Sequence, residues 1–249
     1  MKILAVIPAR YASQRFPGKP LAPIAGKPMV QWVYEAARKA LPGVVVATDD
    51  QRILRFIQGL GGEAVMTSAR CRSGTDRVAE VARKRKADVY LNIQGDEPLM
   101  HSSTVRQVLS LHRDRSVEMG TAAIALPGRA AWKDPNAVKV LVDKTGAALY
   151  FSRAPLPFFR DGVPAGFPAG RGLPVYKHLG IYSYKADFLR RYVAWPESFL
   201  ERSERLEQLR AVERGVRIRV ALTAHDSIGV DRPGDAVRVA AILRKRGKA

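Results

Sequence analysis

Three short runs, KILAVIP at 2–8, GVVVATD at 43–49 and DVYLNIQ at 88–94, are apolar or β-branched at nearly every position instead of at alternate ones. A strand that carries apolar groups on both faces needs both faces covered, which is the condition of a parallel sheet flanked by helices. The intervening segments have helical spacing. KPMVQWVYEAARKAL places Met29, Trp32, Val33, Ala36 and Ala40 on one face. DQRILRFIQGLGG opens on Asp50 as N-cap and stops at Gly61 or Gly62, and EAVM follows as a short strand. SGTDRVAEVARKRK reads as a helix opened by Ser73 or Thr75, and SSTVRQVLSLHRD as another capped helix. The expected architecture is α/β: a Rossmann-like, mostly parallel sheet with helices on both faces, which binds its ligands at the carboxyl ends of the strands.

Past residue 118 the pattern changes. GTAAIAL, AVKVLVD, AALYFSR and HLGIYSYK read as strands with few helices between them, and FFRDGVPAGFPAGRGLP is a long loop rich in Gly and Pro. ADFLRRYVAW and SERLEQLRAVERG read as helices, VRIRVAL as a strand and RPGDAVRVAAILRKR as a last helix. The whole, 1–249, is expected to be one domain. Residues 1–117 form its βα core, about 118–200 a mixed-sheet insertion, and 201–249 a return to the core.

No apolar stretch approaches the roughly 18 residues that span a bilayer, and no signal-peptide pattern opens the chain, so a cytoplasmic protein without a membrane partner is expected. The lone cysteine, Cys71, excludes an internal disulfide and a Cys/His zinc cluster. Forty-two Lys and Arg against 23 Asp and Glu give a net charge of +19. That favours anionic partners, whether nucleic acid, membrane surface or phosphorylated small molecule. The densest basic runs, 82–87 and 243–249, contain no aromatic residue for base stacking, which argues against specific nucleic-acid binding. Basic residues at helix C-termini also suit the helix dipole.

Chemistry concentrates in PARYASQRFPGKPL, directly after the first strand. Arg10, Arg15 and Lys19 occur at intervals of four or five residues, with Gly18 allowing close backbone approach and Pro17 and Pro20 stiffening the loop. Three cations so spaced suit a polyphosphate, because guanidinium groups fork onto phosphate oxygens while a lysine acts as a point charge. The loop has neither the GxxxxGK[ST] nor the GxGxxG pattern. Asp96 in NIQGDEP and Asp231 in IGVD each follow a strand-like run, where a carboxylate serves either as a helix cap or as a metal ligand.

IPARYASQRFPGKPLAPIAGKPM closely resembles the N-terminal signature of the sugar nucleotidyltransferases that make CMP-activated acidic sugars, above all the 3-deoxy-manno-octulosonate (Kdo) cytidylyltransferases. The resemblance continues in the family's order through VATDD, SGTDRVAEV, NIQGDEPL, DPNAVKVLVD, ALYFSRAPLPFFRD, KHLGIYSYKADFLRRYV, LERSERLEQLRAVERG and IGVDRPGDAVRV. It implies the nucleotide-diphospho-sugar transferase fold and a reaction in which the 2-hydroxyl of Kdo attacks the α-phosphate of CTP. CMP-Kdo and diphosphate result, for lipopolysaccharide biosynthesis. It further implies Mg²⁺ held by Asp96 and Asp231, and triphosphate contacts from Arg10, Arg15 and Lys19 beside Ala9. Ser73, Gly74, Gln94 and Arg77 would lie near the nucleotide. Arg153, His178, Tyr182, Glu207 and Gln208 would form a sugar pocket between the core and the mixed-sheet part, and the protein would be a homodimer. A histidine common two residues before SGT is Cys71 here, and Ser183 stands where glycine or alanine is common. An 8-amino-Kdo or sialic-acid cytidylyltransferase is the alternative within the class, and a basic nucleic-acid-binding protein the alternative outside it.

Overall fold

A computed structural model describes residues 1–12, 15–168 and 173–246, the last without its side chain. Residues 169–172 of the Gly/Pro-rich loop and 247–249 of the basic C-terminal run therefore lie outside the described residues. In chain order the elements are β1 Ile3–Ala9, a hairpin of β2 Pro23–Ile24 and β3 Lys27–Pro28, α1 Met29–Arg38, β4 Val44–Thr48, α2 Gln51–Gly59, β5 Glu63–Met66, α3 Gly74–Lys84, β6 Val89–Asn92 and α4 Ser102–Ser110. Then follow β7 Met119–Ala125, α5 Arg129–Lys133, β8 Lys139–Val142, β9 Ala148–Ser152, β10 Val175–Lys185, α6 Ala186–Ala194, α7 Phe199–Glu204, α8 Leu209–Val212, β11 Ile218–Thr223 and α9 Pro233–Arg246.

The chain divides into two compact units. The first contains residues 1–106, 183–193 and 225–249. Its strands β6, β1, β4 and β5 are parallel neighbours in that order, with Ile7 opposite Val46 and Leu4 opposite Tyr90. Strands β4 and β6 are buried at every position, Val44–Thr48 and Val89–Asn92, and β1 between them at Ala5–Ile7 and Ala9, as their apolar runs require. Helix starts follow the local signals. The Asp50 side chain accepts the Arg52 N–H, and Ser73 with Asp76 closes a reciprocal capping box at α3.

The second unit contains residues 107–182 and 194–224. Here β7 pairs in parallel with β11, while β8 pairs antiparallel with both β9 and β10, so the expected mixed sheet is present. Its boundaries differ from the sequence-based ones at 117 and 200, because Gln107–Ser110 of α4 and the whole of 201–224 pack within this unit. One expected element is different. SERLEQLRAVERG is not one helix: α7 ends at Glu204, Arg205 adopts a left-handed conformation at φ 52°, and α8 starts only at Leu209. The interruption leaves Glu207 and Gln208 in the turn between the two helices.

Candidate active site

At the carboxyl ends of β1 and β6 the first unit holds a cavity of about 680 Å³, lined by Ala9, Arg10, Arg15, Lys19, Ser73, Gly74, Arg77, Gln94, Asp96 and Asp231 among others. Every residue expected at the nucleotide or the metal is thus in one cavity, together with Cys71, which stands where a histidine is common, and with Arg72, which was not singled out. Gly95 makes this convergence sterically feasible. A Cβ there would stand 2.5 Å from the Pro8 carbonyl oxygen, so only glycine lets the end of β6 approach the end of β1 so closely.

The basic loop is closed from within. Gly18, at φ 70°, donates its N–H to the Tyr11 carbonyl at 3.0 Å, and a Cβ there would meet the Tyr11 hydroxyl at 2.9 Å. The Arg52 guanidinium lies over the Tyr11 ring, 3.4 Å from its centroid. Downstream, Phe16 packs on a cluster of Ile24, Met29 and Leu99 with Val230, Val239 and Leu243. The loop is therefore anchored to the core and to α9, and its cations project from a fixed frame.

Lys19 occupies the centre of the charged groups. Its ammonium donates to Asp96 Oδ2 at 2.6 Å, to the Val230 carbonyl at 3.0 Å and to Asp231 Oδ1 at 3.4 Å. Arg15 reaches the other oxygen of Asp231 at 3.1 Å. The two carboxylates are held in register by the main chain, where the Val230 N–H donates to the Asp96 carbonyl at 2.9 Å. Asp235 fixes the next turn by accepting the N–H groups of Asp231 and Arg232. Lys19 and Arg15, two of the cations expected at the phosphates, are therefore in direct contact with the carboxylates expected at the metal.

The converging carboxylates fit a divalent cation. The two carboxyl groups already share one cationic partner, Lys19, and an all-oxygen pair of carboxylates is the kind of donor set that a hard divalent cation takes. A site with two protein carboxylates, completed by phosphate oxygens and water, suits Mg²⁺ better than a transition metal.

Arg77 is in the cavity as expected, but its guanidinium is already engaged. It is buried and donates to Asp49 Oδ2 at 2.8 Å and Thr67 Oγ1 at 2.6 Å. A guanidinium so engaged serves as a wall more than as a free fork. Asp49 ends the strand-like run GVVVATD, so the position rule that selected Asp96 and Asp231 would have found it. Asn92 Oδ1, at the end of β6, is buried without a hydrogen-bond partner among the described residues. Cys71 lies against Glu80, its sulfur 3.4 Å from Oε2, and burial followed by that hydrogen bond pushes its thiol pKa up, so it is a poor nucleophile.

The second unit holds the five residues expected at the sugar. The Tyr182 hydroxyl donates to Gln208 Oε1 at 2.9 Å, and the Tyr182 ring lies 5.5 Å from that of His178. Among the described residues Gln208 Nε2 is buried without a hydrogen-bond partner. His178 is buried, with Nε2 2.9 Å from Thr121 Oγ1 and its ring edge-on to Phe151, and burial pushes its pKa down to about 3. It is a neutral imidazole at physiological pH and cannot supply a charge to a ligand. Arg153 is gripped by the main chain, with Nε donating to the Glu204 carbonyl at 2.7 Å and Nη1 to that of Pro135 at 3.0 Å. Its Nη2 also donates, at 3.4 Å, to the Arg205 carbonyl, so the guanidinium is held by carbonyls alone and, among the described residues, has no carboxylate partner to neutralise its charge. Glu207 is half-buried in the turn before α8.

Residues 4–218 match the family described as Cytidylyltransferase. Two curated proteins called 3-deoxy-manno-octulosonate cytidylyltransferase, from Geobacter sulfurreducens and Trichlorobacter lovleyi, are each 50% identical to this chain. The alignments cover 96% of this chain and 98% of the first protein, and 94% of this chain and 96% of the second. Among solved structures, CMP:2-keto-3-deoxy-manno-octonic acid synthetase complexed with CTP superposes with a TM-score of 0.90 at 42% identity, over 99% of this chain and 100% of that one.

Proposed function

This chain belongs to the cytidylyltransferase family, and we propose that it transfers the cytidylyl group of CTP to Kdo, activating that sugar for lipopolysaccharide biosynthesis. The observation that carries the reading is the cavity at the strand ends, where Arg10, Arg15 and Lys19 meet Asp96 and Asp231. In the reaction the 2-hydroxyl oxygen of Kdo bonds to the α-phosphorus of CTP. The bond from that phosphorus to the bridging oxygen breaks, diphosphate leaves, and the hydroxyl proton passes to solvent.

Such a displacement needs little covalent help from the protein and depends on positioning and charge. Arg10, Arg15 and Lys19 offset the charge of the triphosphate and of the departing diphosphate. An incoming triphosphate would compete with Asp96 and Asp231 for Lys19 and Arg15, and the two carboxylates so released would hold Mg²⁺. When bound, that ion supplies Lewis-acid polarisation of phosphate oxygens and lowers the pKa of a coordinated hydroxyl. The part of the loop from Arg15 to Lys19, anchored through Phe16 and Gly18, loses little conformational freedom on binding. On the sugar side, Arg153 offers an unneutralised charge to the carboxylate of Kdo, while Tyr182, Glu207 and Gln208 offer hydrogen bonds to its hydroxyls. His178 acts as a neutral partner in the same group.

We infer a cytoplasmic homodimer. No helix among the described residues is long and apolar enough to cross a membrane.

Diphosphate release measured with CTP, Mg²⁺ and either Kdo, 8-amino-Kdo or N-acetylneuraminate tests the reading. Release with Kdo in preference to the others, abolished by EDTA and restored by Mg²⁺, is the expected result. Release with none of the three sugars overturns it.

A further inference from the structure

Lys139 is buried completely within the second unit, on β8 directly opposite Ser152 of β9. A buried ammonium without a carboxylate partner is costly, and burial lowers the Lys139 pKa. Its hydrogen bonds are to two main-chain carbonyls, that of Arg153 at 2.7 Å and that of Asp134 at 2.8 Å. The carbonyl of Arg153 is thus held by a buried charge. The N–H of the same residue donates to Glu204 Oε2 at 2.9 Å, and the Ser152 hydroxyl donates to Glu204 Oε1 at 2.5 Å. The Arg153 guanidinium then returns to the same two segments, to the carbonyls of Glu204 and of Pro135.

We propose that Lys139 and Glu204 are positioning residues for the acidic sugar: they clamp the carbonyl and the N–H of Arg153 from opposite sides and so fix the guanidinium that binds the sugar's carboxylate. The inference rests on the assignment of Arg153 to that carboxylate. Neither residue touches the sugar in this scheme. A guanidinium that forks onto a carboxylate loses binding when its base is free to shift, because the geometry of two parallel hydrogen bonds is narrow. Placing an ammonium and a carboxylate on the main chain, and leaving the guanidinium without a carboxylate, keeps the arginine's charge for the ligand while removing its freedom.

Steady-state kinetics of Lys139→Met and Glu204→Gln, each with and without Arg153→Ala, test the proposal. The expected result is a KM for Kdo raised at least tenfold in each single variant, a KM for CTP within twofold of the parent, and no more than twofold further effect when Arg153 is already alanine. A KM for Kdo that does not move, or KM values for both substrates that rise together, overturns it. If Lys139→Met does not fold, Glu204→Gln on the half-buried face of α7 carries the same comparison. Failure of the unaltered enzyme to use Kdo removes the functional reading and this inference together, whereas an active parent with insensitive variants removes this inference alone.

Discussion

The ammonium of Lys19 lies 2.6 Å from the Asp96 carboxylate and 3.4 Å from that of Asp231, so one cation holds together the two groups assigned to the metal. Replacing it with methionine removes the proposed phosphate contact and leaves two carboxylates facing each other. Both carboxylate side chains are partly exposed, at 33% and 51%, so solvent moderates their repulsion and the loss of stability stays near 1 kcal/mol. Turnover loses a group that offsets charge on the leaving diphosphate, an effect of about 10²- to 10³-fold. Diphosphate-release kinetics and urea unfolding of Lys19→Met should therefore disagree. A fall in stability that accounts for the fall in activity would make Lys19 a structural residue.

Arg77 and Asp49 form a buried pair in the first unit, with side-chain exposures of 3% and 13%. Asp49→Ala leaves a guanidinium buried with Thr67 as its remaining hydrogen-bond partner, and breaking such a pair costs about 3 kcal/mol. Asp49→Ala combined with Arg77→Met should recover much of that loss, since the uncompensated charge is gone. Equilibrium denaturation of the two single variants and the double variant measures the coupling, and strict additivity would show that the pair stabilises nothing.

How much of this was legible in the sequence depends on the range of the cause. Uninterrupted apolar runs revealed β1, β4 and β6, and Asp50 and Ser73 marked the starts of α2 and α3, because these are local consequences of burial and capping. The motif residues Arg15, Lys19, Asp96 and Asp231 were legible as a set, and the structure places them within one hydrogen-bonding group. The break at Arg205 was not, because SERLEQLRAVERG has an apolar spacing that a continuous helix would also satisfy. Nor were the partners of Arg77 and Arg153, which lie 28 residues away for Asp49 and 51 for Glu204 and depend on how strands bring distant segments together.

His178 makes stability depend on pH. Its folded pKa of about 3 lies far below the ordinary histidine value near 6.5. Because the folded state resists protonation and the unfolded state does not, this contribution is complete above about pH 6.5 and declines as the pH falls toward 3, by about 1.4 kcal/mol per pH unit within that window. Between pH 6.5 and 5 the parent should lose about 2 kcal/mol more than His178→Asn, measured by urea unfolding at each pH. Parallel pH profiles would mean that the imidazole is protonated in the folded protein.

Two glycines separate backbone crowding from backbone freedom. Alanine at Gly95 puts a methyl group 2.5 Å from the Pro8 carbonyl oxygen, where rigid strand ends have no room to yield. Gly95→Ala should cost about 1–3 kcal/mol and also lower turnover, because Gln94 and Asp96 shift with it. Alanine at Gly59, the last residue of α2, meets nothing within 4 Å, and Gly59→Ala should stabilise by about 0.4–1 kcal/mol by restricting the unfolded chain. Thermal melts and kcat for both variants check the contrast; equal effects at the two positions would show that the approach of β6 to β1 is not sterically limited.

Asp96 and Asp231 should differ in what their loss does to metal dependence. Asp96 is the less exposed of the two and takes the shorter hydrogen bond from Lys19, while Asp231 also meets Arg15 at the rim. Asp231→Asn keeps a neutral oxygen ligand at a site open to water, so a water molecule can complete the coordination of Mg²⁺. The expected outcome is a rise of tenfold or more in the Mg²⁺ concentration for half-maximal rate, with part of kcat recovered at saturation. Asp96→Asn removes charge at the inner position, where lower solvent screening makes it count for more, and saturating Mg²⁺ should not restore its rate. Titrating Mg²⁺ against diphosphate release for both variants decides this. If Asp231→Asn leaves the Mg²⁺ requirement unchanged, Asp231 does not hold the metal and its ion pairs with Arg15 and Lys19 are its whole role.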